Sequence, residues 1–580
     1  MSSTTLAPNT PPESPRGFRL DCPRLENVRL TGRLGDRHAA NIRYLLWRYR
    51  DADKMLEPFE HRDTWQRLQD WDGETAGKWL DAAVLSAASS QDEQLVAAVE
   101  EFANELRATQ EDDGYLGTEL PQNRLRASWP LWMHWYAMTA LLAHARLFDD
   151  PLSLECAVRC GDWLIGEFSP VREGSAMFEG ANQGAGSMAV LDQIVTLYFV
   201  TGEVRFLDFA NDAARCFPPL KQMLASGKAL PYHAYSMLTY LGGYVLLAQA
   251  NKDESQLAAI ERVWQEIADN HLFPTGSLST NECLNVPPTD LVNGHLQETC
   301  ATVEWLIFTH RLLLATGNVQ YANALELTVN NALLGAQSVD GTKWTYFTPL
   351  QNYKSWLIGP TNCCYFSGPR GIAKLPELIY HVDAGGCRVD LFESSTAQLN
   401  VLGHDLRLTQ ESSYPKIGQT RISMTMEGDV DFALSLRIPQ HVTNTIVALN
   451  GVPLPVAAAS GEYAEISRSW ASGDTVDVTF DMVTHTHRLS DGSVVISRGA
   501  EVLCADLRDN PGLRLDEIST VPRVDVASVK TSCDGRRVYS AQAIVNGNEQ
   551  PIMLTPFAES GNLTPGVLSG GASYRTAFRE

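Results

Sequence analysis

Two cysteines stand side by side, Cys363 and Cys364, inside the stretch TNCCYFSGPRG. Adjacent cysteines rarely bridge each other, because the bridge strains the peptide between them, so their use lies elsewhere. A second stretch, QETC at Gln297–Cys300, heads a long helical pattern and carries Glu298 and Cys300 two positions apart. On a regular helix those side chains diverge, but at a helix start both can turn to one point. Thiolates with a carboxylate make a zinc set, for a metal that takes about four ligands. Glu282 lies in the loop TGSLSTNECL, where partial desolvation would suit a carboxyl group to proton donation. His134, His233, Tyr346, Trp129 and Trp132 complete the candidates, since aromatic faces stack on sugars and neutral His and Tyr hydrogen-bond hydroxyls.

Each residue also has a plainer reading. Cysteine is among the most buried residue types, so Cys363 and Cys364 could be core filler. Glu298 could simply favour a helix N-terminus, Glu282 could be a solvated loop residue, and His134 and His233 could be satisfied core histidines. Cys156 and Cys160, four apart on a helical pattern, could face one metal. No His or further Cys lies near them in the sequence, and core packing is the preferred reading. No C-x-x-C motif occurs.

Stepping from these residues to what must hold them, the region from about Gly35 to His381 reads as helical. QLVAAVEEFANELRATQ, MHWYAMTALLAHARLF, YHAYSMLTYLGGYVLLAQAN and ETCATVEWLIFTHRLLLATG repeat apolar residues at helical spacing, and several such stretches end in Gly or Asn. Many helices of similar length without a fixed repeat period favour a closed double ring, an α/α toroid, over a solenoid. After about Gly386 the period changes to two in TRISMTMEG, DFALSLRIP and DTVDVTFDM, with a hairpin signal at Asn450-Gly451. This is the pattern of a β-sandwich region. The strand-like RLENVRLTGRL ahead of the helices is expected to return to that sandwich. The resulting division is a disordered Ser/Thr/Pro-rich tail at 1–17, a helical unit at 18–385 and a β-sandwich region at 386–580.

The 580-residue chain carries a formal net charge of −23. That balance disfavours nucleic acid and anionic membrane as partners, and no apolar run is long enough to span a bilayer. The opening residues lack the apolar core of a signal peptide. The eleven cysteines are odd in number and scattered, so reduced thiols and a cytoplasmic location are the expectation.

The chain resembles glycoside hydrolase family 127, the β-L-arabinofuranosidase family. The resemblance runs from about Val28 to Leu507 and is carried by WDGETAGKWLDAA, DDGYLGT, MHWYAMTALLAHA, TLYFVTGEVRFLDFA, NEC, QETCA, YFTPL and CC, with LRIPQHV, ALNGVPL and SWASGDTVDVTF in the β region. It implies an (α/α)6 toroid catalytic domain followed by a C-terminal β-sandwich region, and a carbohydrate or glycoside substrate. It further implies zinc held by Glu298, Cys300, Cys363 and Cys364, with Cys363 as nucleophile and Glu282 as acid/base. Tyr346 matches a site tyrosine, and His233 and His134 match sugar-contacting histidines. Self-association through the sandwich, giving a homodimer, is a further implication. Four protein ligands normally mark a structural zinc; catalysis is compatible with them if one ligand is itself the nucleophile, giving a retaining exo-glycosidase.

The sequence also departs from the family. Tyr365-Phe366-Ser367-Gly368-Pro369 replaces a Pro-Pro-Asn continuation, Thr361 stands where a His can occur, Gly186-Ser187 replaces Gly-His, and Trp135 replaces a frequent Glu. The metal and acid/base positions survive while several sugar-facing ones differ, which leaves the released sugar open. Two other readings stay in play: a polysaccharide-lyase-type toroid enzyme with a His233 or Tyr346 base, and a non-catalytic sugar-binding protein with a structural zinc.

Overall fold

Twelve stretches of helix alternate between two faces of one ring. The computed structural model describes residues 18–65, 71–124, 129–284, 294–356, 362–455, 459–531, 536–561 and 573–579. The expected tail at 1–17 and Thr361 lie outside them. The ring helices are α1 (Gly32–Arg48), α2 (Glu74–Ser90), α3 (Glu93–Ala108), α4 (Pro130–Leu147), α5 (Pro151–Phe168) and α6 (Val190–Thr201), then α7 (Val204–Cys216), α8 (Ala234–Asn251), α9 (Glu254–Asn270), α10 (Thr299–Thr316), α11 (Val319–Thr328) and α12 (Cys363–Ala373). The even-numbered helices pack in order, and α12 returns to α2 to close the inner ring; the odd-numbered ones pack outside. This is the (α/α)6 toroid.

The two classes of helix differ in sequence for a physical reason. An outer helix such as α3 buries one stripe, Leu95, Ala98, Val99, Phe102 and Leu106, and leaves the rest to water. Inner helices are enclosed on every side, and α2 is buried from Glu74 to Ala88. Enclosure demands close approach: a Cβ on Gly77 would lie 2.5 Å from the Tyr136 backbone of α4. It also strands charge. Arg370 of α12 donates to Asp81 of α2 at 2.7 Å and to Glu304 of α10 at 2.8 Å, all three nearly inaccessible. One guanidinium thus ties three inner helices together, with its Cζ 5.2 Å from the centre of the Tyr136 ring.

The β region begins with β1 (Val28–Leu30), which precedes the ring in sequence yet pairs antiparallel with a strand far downstream. Following the ring are β2 (Tyr380–Asp383), β3 (Gly386–Val389) and β4 (Ser395–Val401), the last being the partner of β1. The first sheet runs from β1 and β4 through strands 404–412, 419–426, 475–482 and 442–449. The second runs through 463–470, 430–437, β3 and β2, with β3 parallel to 430–437. Alternate residues of the two sheets, Ala397, Leu399 and Val401 against Phe432, Leu434 and Leu436 for instance, point inward and are continuous with the toroid core. A third sheet, from Thr484 to Phe578, has a core of its own around Leu503, Tyr539 and Leu554. It grips the helical unit where Tyr574–Arg575 pairs with Gln351–Asn352 and where Lys354 Nζ donates to the Phe557 carbonyl at 3.0 Å. No helix among the described residues is long and apolar enough to cross a membrane.

Removing Arg370 leaves two buried carboxylates facing each other. Arg370→Ala should cost about 3–5 kcal/mol and lower the unfolding midpoint of the helical unit by on the order of 5 °C or more. A midpoint within one degree of the parent, by calorimetry, would show that the triad does not brace the ring.

Candidate active site

The candidate residues gather at one end of the ring, where the inner helices begin. Glu298 is the residue before α10 and Cys300 lies in its first turn, while Cys363 and Cys364 open α12. The α12 start is secured by Asn362, whose side chain accepts from the Cys364 N–H at 3.0 Å. Glu298 caps nothing with its own side chain. Its carboxylate turns inward instead, with Oε1 3.8 Å from Cys364 Sγ. Cys364 Sγ lies 3.3 Å from Cys300 Sγ and 3.8 Å from Cys363 Sγ. The four donor atoms all fall within 4.8 Å of one another. Every described cysteine is a free thiol.

Such a group of acids is poorly placed to ionise alone. Burial pushes Glu298 well above the usual carboxylate range and raises Cys300 and Cys364 well above an ordinary thiol. Cys363 moves the other way, held far down by the neighbouring thiols, with Lys78 and the Tyr346 hydroxyl adding to the effect. The second carboxylate oxygen of Glu298 is fully buried with no hydrogen-bond partner. Three sulfurs and a carboxylate converging on one point, with one oxygen of that carboxylate unpaired, are the donor set and the deficit that a bound cation of the zinc class would answer. Helix starts add partial positive charge from their free N–H groups, on the side where the anions sit.

Beside this cluster stand the other candidates. Glu282 lies on the loop before α10 with its side chain about one-third exposed, 37 %. The Tyr346 hydroxyl donates to Glu282 Oε1 at 2.7 Å and its oxygen lies 3.5 Å from Cys363 Sγ, so one phenol touches both. His233 caps α8, accepting from the Ser236 N–H, and its Nε2 is 3.6 Å from Glu282 Oε2. His233 and Tyr346 hold the Glu282 carboxyl below its ordinary range, against partial burial and the nearby Cys363 sulfur. Burial and the surrounding acids push the Tyr346 phenol far up, so it stays a donor. The loop backbone is held in costly conformations to achieve this. Ser279, Asn281, Glu282 and Gln297 all have positive φ, between 49° and 86°, which non-glycine residues rarely adopt. Backbone bonds from Ala234 N to Glu282 O (2.8 Å), Gln297 N to Ser279 O (2.9 Å) and Thr299 N to Tyr346 O (2.9 Å) keep it there.

His134 does not join them. It is fully buried in α4, stacked on Trp163 at 4.8 Å. Its Nδ1–H donates to the Pro130 carbonyl and its Nε2 accepts from the Leu116 N–H, leaving no nitrogen for a sugar. The expected sugar contact at His134 is therefore replaced by a core histidine, kept neutral with its pKa lowered to about 4 by burial. Trp135 is likewise core. Cys156 and Cys160 are buried in α5, in keeping with the packing reading. Trp129, by contrast, forms with Trp71 and Trp132 an aromatic wall against which Gly186 is pressed.

Three residues went unremarked as site residues in the sequence. Lys78 of α2 is fully buried, its ammonium 2.7 Å from Glu74 Oε1 and 3.4 Å from the Cys363 carbonyl, under the Tyr136 and Tyr235 rings. Glu74 Oε2 accepts from Trp132 Nε1 at 2.7 Å. An i, i+4 Glu–Lys pair inside an otherwise apolar helix was the available signal. Ser367, noted only as a departure, has its hydroxyl oxygen 3.2 Å from Cys300 Sγ and accepts from that thiol.

The two histidines should separate cleanly on substitution. His134→Ala removes a stacked core ring and strands the Leu116 N–H, costing about 2–4 kcal/mol. His233→Ala should cost only about 1 kcal/mol of cap, yet raise the Glu282 pKa, readable by carboxyl infrared titration. Equal losses of stability in the two variants would contradict this placement.

Comparison with known proteins places the chain in a family. The Beta-L-arabinofuranosidase, GH127 catalytic domain matches residues 27–377, and the GH127 middle domain matches residues 386–482. A non-reducing end beta-L-arabinofuranosidase of Bifidobacterium longum subsp. longum is 24% identical over 511 residues, covering 75% of each chain. Solved structures share the fold. A GH127 beta-arabinofuranosidase superposes with a TM-score of 0.82 at 21% identity, over 97% of this chain and 98% of the other. A GH127 beta-L-arabinofuranosidase from Geobacillus stearothermophilus T6 does so with 0.81 at 20% identity, over 96% and 100%. The chain belongs to glycoside hydrolase family 127 and is a glycoside hydrolase.

Proposed function

We propose that the protein is a zinc-dependent, retaining exo-glycosidase that releases β-L-arabinofuranose, with Cys363 as nucleophile and Glu282 as acid/base. The observation that carries this reading is the single phenol of Tyr346 in contact with both the Cys363 sulfur and the Glu282 carboxylate. A nucleophile and a proton donor share one edge of the site, and Cys363 is the one of the four clustered residues that is not fully buried. The sugar assignment rests on the names of the relatives.

Glu298, Cys300, Cys363 and Cys364 would hold the zinc, which when bound keeps sulfur ionised at neutral pH. The Cys363 sulfur attacks the anomeric carbon as the bond to the leaving oxygen breaks, and Glu282 gives that oxygen its proton. Water then attacks the same carbon, Glu282 takes a proton from it, and the carbon–sulfur bond breaks, so configuration is retained. Empty, the pocket keeps Glu282 ionised; a bound sugar excludes water and favours its protonated form. Tyr346 has one proton to give, and can turn it toward whichever of its two neighbours carries the negative charge. Lys78, buried against the Cys363 carbonyl, offsets the negative charge of the sulfurs. His233 orients Glu282, while Trp71 and Trp129, backed by the buried Trp132, offer a stacking face for the sugar or its aglycone. A lyase reading asks Tyr346 or His233 to act as base; the raised pKa of Tyr346 opposes the first, and His233 is engaged as the cap of α8 and beside Glu282.

Purified protein should hydrolyse p-nitrophenyl β-L-arabinofuranoside in preference to pyranosides, with the β-anomer first seen by NMR. Glu282→Gln should lower kcat/KM on an oligosaccharide by about 10²–10⁴-fold. Cys363→Ser should abolish turnover, and Cys364→Ser should lower the zinc content by about one ion per chain. Undiminished turnover by Glu282→Gln, or an inverted product, would reject the mechanism.

A further inference from the structure

Away from the site just described, the most unusual buried polar group lies where three parts of the chain meet. Cys22 belongs to the segment ahead of the ring, His310 to the middle of α10, and His381 to β2 of the sandwich. His310 Nε2 and His381 Nε2 face each other at 3.0 Å, and Cys22 Sγ is 3.8 Å from His310 Nε2. All three donor atoms fall within 4.8 Å of one another. His310 and His381 are 5% and 0% exposed.

The surroundings orient these donors. His381 Nδ1 is 2.6 Å from Asp390 Oδ2, so its proton sits on Nδ1 and its Nε2 presents a lone pair to the other two residues. Asp390 is itself fixed, with the Tyr463 hydroxyl donating to its Oδ1 and Arg437 Nε to its backbone carbonyl. A carboxylate behind an imidazole is the arrangement that sets tautomer and direction in metal-ligating histidines. Cys22 is held in place from the next residue: Asp21 and Val382 exchange backbone hydrogen bonds at 2.8 and 2.9 Å. The Glu377 carbonyl, 3.9 Å from Cys22 Sγ, closes the other side.

We propose that Cys22, His310 and His381, oriented by Asp390, form a second metal site, of the zinc class, that clamps the N-terminal segment, the toroid and the sandwich together. One sulfur and two imidazole nitrogens are a zinc donor set. Tetrahedral geometry with ordinary zinc bond lengths puts nitrogen–nitrogen and sulfur–nitrogen separations at about 3.4 and 3.6 Å, and the observed 3.0 and 3.8 Å lie to either side. A hydrogen bond between the two imidazoles accounts for their own contact and a long thiol bond to the Glu377 carbonyl for part of the sulfur's position, but neither requires the sulfur to stand beside both rings. Three protein ligands leave the fourth position to water. Metal binding expels the Cys22 thiol proton to solvent and involves no redox change.

The experiment is metal analysis of the full-length protein, loaded with zinc and desalted, alongside Cys22→Ser and Cys364→Ser. The wild type should hold about two ions per chain and each variant about one, and Cys22→Ser should also lose most of the thermal stabilisation that zinc gives the wild type. One ion in the wild type, lost in Cys22→Ser and kept in Cys364→Ser, supports the clamp while refuting the zinc reading of the active site. Equal zinc content in the wild type and Cys22→Ser overturns the clamp. If Cys22→Ser does not fold, the wild type decides through its cobalt-loaded form. A spectrum with one cobalt per chain, of multi-thiolate character only, overturns it; a second equivalent of single-thiolate character supports it.

Discussion

Four acidic side chains bring their donor atoms within 4.8 Å of one another in largely buried space, and that crowding is the constraint on which the rest of the molecule turns. Glu298, Cys300, Cys363 and Cys364 cannot all lose protons there without a compensating cation. Ordinary folding energetics would disperse such a group. Its persistence at the starts of α10 and α12 means that the ring brings together a donor set that burial alone does not favour in its ionised form. The chemistry follows from the asymmetry within the group. Three members are sealed in, while Cys363 keeps an edge toward the phenol and carboxylate that flank it.

The charge problem is met at increasing distances. Closest are the hydroxyl of Ser367 on Cys300 and that of Tyr346 near Cys363. Next is Lys78, an ammonium with no access to water, shared between Glu74 and the Cys363 carbonyl. Further along α12, the same helix that supplies the two adjacent cysteines supplies Arg370, locked to α2 and α10. Buried ion pairs of this kind contribute little net stability compared with apolar packing. What they do here is hold α2, α10 and α12 at one mutual setting, and hence the distance between sulfurs donated by different helices.

The loop that carries Glu282 shows the converse arrangement. Its backbone takes left-handed conformations at successive non-glycine residues and is held by bonds to α8, α10 and the strand-like segment around Tyr346. The strain is tolerated because those bonds over-determine the loop, and it delivers a carboxylate to the phenol that also touches the Cys363 sulfur. The β-sandwich contributes at a distance. It shares one continuous core with the ring and takes β1 from ahead of the helices, so that both ends of the toroid are anchored to it.

The change of apolar period near Gly386 separated ring from sandwich because a helix buried on one side and a strand buried on one side must differ in repeat. The strand ahead of α1 was readable for the same reason. The Glu-x-Cys and Cys-Cys residues offered a donor set beside a plainer reading as core, and Glu282 and Tyr346 stood out by residue type while their roles came with the family resemblance. For His134 the plainer reading of a satisfied core histidine held and the sugar contact implied by the resemblance did not, because family position does not record whether both ring nitrogens end on backbone groups. Lys78 and Ser367 were missed because their importance lies in which neighbour they meet. The period of apolar residues and the types of the ligands are properties of adjacent positions, so the amino-acid order by itself determined the toroid, the sandwich and the donor set. Convergence of sulfurs 64 residues apart, the shared phenol and the meeting of Cys22 with two histidines depend on how helices and strands close on one another, and only the tertiary structure decided those.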